Sequence, residues 1–470
     1  MIRLATYLVI FLTQILGFAQ ESTLELDLDT ALQIALENNL DVERSNLRTQ
    51  TSDIEFNQSR NSRLPSLNGN YNFGLNNGRS IDPFTNTFIE EELTFSSAGL
   101  SLEATIFNGF QIKNRIQRDR FNLKAAEAEV EQAKQEMVLN VTLAYFRILN
   151  TKDLMKLAKS RKRSTLKQLE RLKSLNEEGQ GNPANYTDIL GQIANDESAI
   201  ADAENNLKAT KLELIRLLNI DSDIKITTRQ LADEPTIYQY SATEVFKESL
   251  DNLATFKAGE LKIKAAEEDI QVSKSLYAPE VSFFAQLNTN FSSLANLFNE
   301  SGTQIIETKQ FVNIGGDRVP VFNEQTNFVA ENIPYQEQLT NNLNSNIGVA
   351  LRIPIFNGFR AKNTVALQKI VLEEQKVEYQ QIFNELKQAI KEAHNDMQAA
   401  HNKYLIFEKQ VQAYLNSFRV NEIRFNNGVS NIIEYIISKN NLDNSKINLA
   451  NARYEYIFRT KILDYYRGLF

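Results

Sequence analysis

Gly99–Phe110, GLSLEATIFNGF, and Gly348–Phe359, GVALRIPIFNGF, share one alternation and one ending, at an offset of 249 residues. The same offset carries Gly179 onto Gly428. It also carries the heptad-spaced Ile193, Ile200, Leu207 and Leu214 onto Leu442, Leu449, Tyr456 and Leu463. Upstream, LPSL at 64–67 pairs with APEV at 278–281 at a shorter offset of 214, so the second half holds 35 extra residues. These fall between 293 and 341, an Asn-rich stretch with Gly315–Gly316, Pro320 and Pro334 that reads as a surface loop. A repeat this long predicts two copies of one large unit within a single structure, not a solenoid of short repeats.

The expected division is a first structural repeat over 20–235 and a second over 236–470. Each reads as helix, strand, loop, strand, very long helix, turn, helix. The first has strands at about 65–77 and 93–107, a long helix at about 110–175 and a return helix at about 187–219. The second has strands at about 279–290 and 343–356, a long helix at about 359–426 and a return helix at about 431–467. Neither Gly nor Pro occurs over 111–178 or 359–427, so each long helix would reach on the order of 100 Å. In the second copy Leu386, Ile390, Ala393, Met397, Ala400, Tyr404, Phe407, Val411, Tyr414 and Phe418 step by 4 and 3 in turn. That is the 3.5-residue seam of a left-handed coiled coil. In the first copy the seam through Met137, Val141, Ala144 and Ile148 is broken by Thr151, Lys162 and Thr165. Gly179, Gly181 and Gly428 mark the turns where the chain doubles back.

The strands alternate. Leu67, Tyr71, Phe73 and Leu75 interleave with Asn68, Asn70, Asn72 and Asn76, and Leu100, Leu102, Ala104 and Ile106 with Ser101, Glu103 and Thr105. Val281, Phe283, Ala285 and Leu287, then Ile347, Val349, Leu351 and Ile353, repeat the pattern. A half-buried soluble sheet alternates in the same way. The segment length of about ten residues also suits a tilted strand crossing an outer-membrane hydrocarbon layer of roughly 25 Å. In lipid the two edges of a four-stranded sheet cannot stay open, so identical copies must close it. Two copies give a filled eight-stranded barrel; three give twelve strands around an aqueous lumen.

Composition narrows the chemistry. The 470 residues include no Cys and only 2 His, which excludes disulfides, iron–sulfur clusters, thiolate zinc sites and cysteine nucleophiles. His394 and His401, seven apart on one helix, stand too far apart to share a metal. A net charge of −8 argues against nucleic-acid binding. Gly and Pro together number 25, about half the usual share, so the elements should be few and long. Residues 1–19 combine Arg3, the apolar run 8–12 and the small Gly17 and Ala19. This is the layout of a signal peptide cut after Ala19, and no later stretch is apolar enough for a transmembrane helix. No Ser/His/Asp set, phosphate loop or carboxylate pair stands out, so no catalytic residue, metal or cofactor is expected.

The duplicated unit, IFNG at 106–109 and 355–358, and LANARYEY at 449–456 resemble TolC-like outer-membrane efflux proteins over nearly the whole mature chain. The resemblance implies a mainly α fold with a small β part: a homotrimer sharing a twelve-stranded outer-membrane β-barrel, continued by an α-helical barrel in the periplasm. It implies a passive, non-enzymatic duct for efflux or type I secretion, embedded in outer-membrane lipid. A periplasmic adaptor would dock at the helical tip (Gly179, Gly181, Gly428 and Ser430), coupled to an inner-membrane pump. Family gates use carboxylates just past the tip turns, which match Asp188 and Glu434 here. A second acid usual three positions on is Ile437, so the gate is either one acidic ring or a hydrophobic constriction. Outside that resemblance, Asp188 reads as helix-start charge and Glu434 as a solvated face. The basic run 152–173 reads as a solvated face or an adaptor contact. A secreted coiled-coil scaffold or adhesin without a barrel is the competing reading of the whole chain.

Overall fold

A computed structural model describes residues 24–83, 85–179, 182–227 and 236–469. The signal segment 1–19 and Gly181 lie outside the described residues. In chain order the elements are β1 (Leu24–Leu26), α1 (Leu28–Asn38), α2 (Leu40–Asn61), β2 (Ser66–Asn76), β3 (Ser80–Ile81), β4 (Phe88–Ile89), β5 (Leu93–Asn108), α3 (Gln111–Glu177), α4 (Pro183–Leu218) and β6 (Ile224–Ile226). Then follow α5 (Ala242–Asn252), α6 (Ala254–Lys274), β7 (Glu280–Ser292), β8 (Asn296–Ile314), β9 (Asp317–Asn332), α7 (Tyr335–Asn341), β10 (Asn344–Arg352), α8 (Arg360–Asn426) and α9 (Ile432–Tyr466). The long helices α3 and α8 each have 67 residues, about 100 Å at 1.5 Å per residue.

The chain divides into two compact units, each drawing on both sequence repeats. One comprises residues up to Ile54, Arg120–Ala265 and the chain from Val371 onward; the other comprises Glu55–Asp119 and Ala266–Ile370.

The first unit is helical. The second-copy seam reads directly onto burial: Ile390, Ala393, Met397 and Ala400 are buried with Val245, Tyr456 and Leu463. A second core joins Val141, Ala144 and Ile148 of α3 to Leu214 and Leu218 of α4 and to the parallel pair β1–β6. Helix α4 starts at Pro183, earlier than expected, because the Asn182 side chain caps it by accepting from the Ala184 N–H at 3.0 Å. Proline fits the first helical position, where its missing N–H has no partner to lose.

The second unit carries a four-stranded antiparallel sheet in the order β10-β7-β5-β2. The last strand ends at Arg352, short of the expected 356, since Pro354 has no N–H to give a ladder. The region expected as a surface loop over 293–341 is instead the hairpin β8–β9 followed by α7. Its two-residue turn is Gly315–Gly316, at φ +65° and +106°. That is the left-handed pair a tight hairpin needs.

Candidate functional site: a two-faced strand wall and a helical tip

Register fixes the faces of the sheet. Leu67 lies opposite Leu102, Leu102 opposite Ala285, and Ala285 opposite Ile347. Tyr71, Phe73, Leu75, Leu100, Phe283 and Val349 fall on that same face. Tyr71, Phe73, Ile347 and Val349 are more than 60% exposed within the single chain. The opposite face is a polar grid: Asn70, Gly99, Asn288 and Asn344 form one row, and Asn68, Ser101, Gln286 and Asn346 the next. Gly99 leaves room in its row for the amide oxygens of Asn70 and Asn288, each 2.7 Å from where a Cβ would stand. At one end Tyr335 of α7 touches the apolar face, 3.3 Å from the Tyr71 hydroxyl and 4.8 Å from the Phe291 ring; the rest, exposed and apolar with a polar face opposite, suits a strand with lipid on one side and water on the other. Among the described residues the outer strands β2 and β10 have no partner strand on their free sides.

Where the sheet gives way to the long helices, one corner is built twice. Gly109 and Phe110 sit at φ +64°, and Gly358 and Phe359 at +62° and +60°. A left-handed Phe costs about 1–2 kcal/mol. Each corner offsets part of this with an edge-to-face ring pair, worth about 0.5–1.5 kcal/mol. Phe107 meets Phe110 at 5.4 Å, and Phe356 meets Phe359 at 5.6 Å. Lys113 and Lys362 lie over the second ring of each pair, at 5.7 and 5.8 Å. Exposed aromatics at the end of apolar strands match the rings that flank a membrane's hydrocarbon.

At the far ends of α3 and α8 the chain turns on Gly179 (φ +74°) and Gly428 (φ +72°). The N–H of Gly428 donates to Phe425 O at 3.0 Å and that of Val429 to Arg424 O at 2.8 Å, the paired bonds by which a left-handed glycine closes a helix end. Ser430 Oγ is buried with no hydrogen-bond partner among the described residues. Asn431 caps α9 by accepting from the Glu434 N–H at 2.9 Å. Behind the turns Leu172, Ile189, Ile432 and Tyr435 form a small core. The Tyr435 ring lies 5.6 Å from Phe418 and 5.2 Å from Phe425, and burial pushes its hydroxyl up to about 12.

The expected gate carboxylates flank this core without pairing with each other among the described residues. Asp188 is exposed on α4 beside buried Ile189. Glu434 is half exposed and faces Arg424 Nη1 at 3.6 Å. Ile433 and Ile437 are exposed one turn apart on the same helix.

Several members of the basic run are paired on the helix surface, while Arg163, Lys167 and Lys173 are exposed. Lys156 pairs with Asp153 at 3.0 Å, Lys159 with Glu204 at 3.3 Å and Lys162 with Glu197 at 2.8 Å, while Arg171 donates to Asn426 O at 2.7 Å. Arg161 enters a buried cluster that sequence inspection did not find. Its guanidinium lies 2.6 Å from Asp196, donates to Asn440 at 2.9 Å and stands 3.8 Å from Asp443. Asp196 also accepts from Thr165 and, at 3.0 Å, from Gln192; Lys439 pairs with Asp443 at 2.8 Å. Thr165, which breaks the first seam, is thus a buried donor. His394 contacts Tyr240 O at 3.2 Å, and the His401 ring packs on Tyr456.

An antiparallel sheet with one apolar and one polar face is what the wall of a membrane channel requires. A family model described as outer membrane efflux protein matches residues 31–219 and 245–460, and the chain belongs to that family. The Vibrio cholerae outer membrane protein TolC is 21% identical over 407 residues, covering 85% of this chain and 81% of its own. A probable outer membrane lipoprotein of Salmonella typhimurium, SilC, is 23% identical over 395 residues, covering 82% and 72%. Among solved structures, CusC matches with a TM-score of 0.74 at 16% identity over 94% of this chain and 92% of that one. The Campylobacter jejuni CmeC outer membrane channel matches with 0.71 at 16% identity, over 94% and 85%. The protein is an outer-membrane efflux channel, mainly α with a small β part. This sets aside the secreted scaffold.

Proposed function

We propose that three copies close head to tail into a twelve-stranded barrel in outer-membrane lipid, continued by a helical conduit in the periplasm. The observation that carries this reading is the pair of unpaired outer strands, β2 and β10, on a sheet with one apolar face. Backbone groups on such edges have no partners in hydrocarbon. In the order β10-β7-β5-β2 the two edges run in opposite directions, so joining β10 of one copy to β2 of the next keeps every pair antiparallel. Eight strands would leave a lumen filled by side chains; twelve leave room for water against the Asn, Ser and Gln grid.

The duct itself performs no chemistry. An inner-membrane pump supplies the energy for efflux or type I secretion, and a periplasmic adaptor docks on the turns at Gly179, Gly181, Gly428 and Ser430. Rings of Asp188 and Glu434 narrow the passage at the tip. Exposed Ile433 and Ile437 beside Glu434 add an apolar collar that an ion crosses poorly without its hydration shell.

Tyr71 and Asn72 are adjacent on β2 with opposite facings, and the chain has no native cysteine. In assembled membranes a charged, membrane-impermeant thiol reagent should modify Asn72→Cys and spare Tyr71→Cys. Equal modification of both refutes the barrel. Glu434→Gln removes the partner of Arg424 and one carboxylate per copy. Reconstituted channels should then leak more current and prefer cations less; unchanged current and selectivity remove Glu434 from the gate.

A further inference from the structure

The β8–β9 ribbon is long (19 and 16 residues) and largely uncovered. A two-stranded ribbon alone is marginal in water, yet this one is anchored firmly at its base. Buried Gln338 donates to Ser292 O at 3.0 Å and Ile333 O at 2.7 Å, and accepts from the Ser292 N–H at 3.0 Å. Ile333 N–H donates to Ala295 O at 3.0 Å. The ribbon is therefore a fixed extension of the sheet.

Its register, followed through the bulges at Ser301 and 308–310, sorts the side chains into two faces. Phe298, Ile305, Phe311, Phe322 and Phe328 share one face; Leu297, Val312, Ile314, Val319 and Val329 share the other. All ten are exposed, from 42% at Val319 to 75% at Ile305. A ribbon resting on its own core would be apolar on one side only. This one carries exposed apolar side chains on both, interleaved with Glu300, Glu307 and Glu324 on the first face and with Gln304, Asn323 and Gln325 on the second. Head-to-tail cyclic assembly joins unlike surfaces, and so needs apolar side chains on each. The ribbon also leads, through α7, straight into β10, the edge strand that must meet the next copy.

We propose that each β8–β9 ribbon packs its aromatic face on the aliphatic face of the next copy's ribbon, so that three ribbons form a collar beyond the barrel on the side away from the helices. The occupant of each face is a second copy of this chain. The inference rests on the three-copy closure proposed above. Rotation about a cyclic axis involves no shift along it, so equal residue numbers stand at equal height. Neighbours in sequence on opposite faces are therefore the pairs to link.

The test uses the full chain purified in detergent. Phe328→Cys with Val329→Cys, and Phe311→Cys with Val312→Cys, should each give a covalent trimer on a denaturing gel after treatment with a short bismaleimide. The four single variants should stay monomeric on that gel. Adding Phe322→Asp and Phe298→Asp to either pair should abolish the cross-linked product while the mass in detergent remains that of three copies. Absence of the product from both double variants at a native mass of three copies overturns the collar and leaves the barrel standing. Cross-linking by single variants would mean that like faces meet, which also overturns it. A native mass of one copy defeats the closure and the collar together.

Discussion

Asp196→Ala is expected to destabilise the helical unit by about 3–5 kcal/mol, the range for removing one partner of a buried ion pair. The Asp196 side chain is fully buried, and Arg161 beside it is only 16% exposed. Removing the carboxylate leaves the guanidinium with Asn440 and a distant Asp443, and strips Thr165 and Gln192 of their acceptor. The measurement is thermal unfolding of the detergent-solubilised protein, with proteolysis of α3 and α4 as a second probe. Replacing the pair together, Arg161→Met with Asp196→Leu, should recover only the part due to the unpaired guanidinium, since Thr165 and Gln192 still lack their acceptor. If the single variant melts like the parent, the cluster carries no stability.

Tyr435→Ala should have the second largest effect. It empties a site bounded by Phe418, Phe425, Leu172 and Ile189, and large aromatic truncations in such cores cost about 3–5 kcal/mol. Because this small core fastens the turn on α8–α9 to the one on α3–α4, the expected results are faster protease cleavage at 426–431 and more leak current. Tyr435→Phe keeps the ring contacts and should behave like the parent in both assays. Equal cleavage rates in Tyr435→Ala and parent would mean that the tip is held elsewhere.

Much of the fold was legible because its signals are periodic. A 3.5-residue step marked Ile390, Ala393, Met397 and Ala400 as a buried seam, and alternation sorted Tyr71 from Asn72. The hairpin at 315–316 was not read from the sequence: its Gly–Gly pair suits a tight turn, but the abundance of Asn drew the whole stretch toward a loop reading. The Arg161 cluster was not legible. Its members lie 31 residues apart for Thr165 and Asp196, and 279 for Arg161 and Asn440, and nothing local marks a lysine such as Lys439 as buried. The candidate gate carboxylates Asp188 and Glu434 came from the resemblance alone, and the pairing of Glu434 with Arg424 emerged only once the turn had brought α8 and α9 side by side.

The twin corners at Gly109–Phe110 and Gly358–Phe359 bear on which substitutions the strand ends tolerate. Each passes from strand to helix through two consecutive left-handed residues, so a β-branched replacement of either glycine would strain the backbone. At the first corner an added Cβ would also collide with the Ala278 Cβ, whereas at Gly358 none of the described atoms lies within 4 Å of it. The two junctions look alike in sequence yet differ in crowding, and the earlier one is the less forgiving.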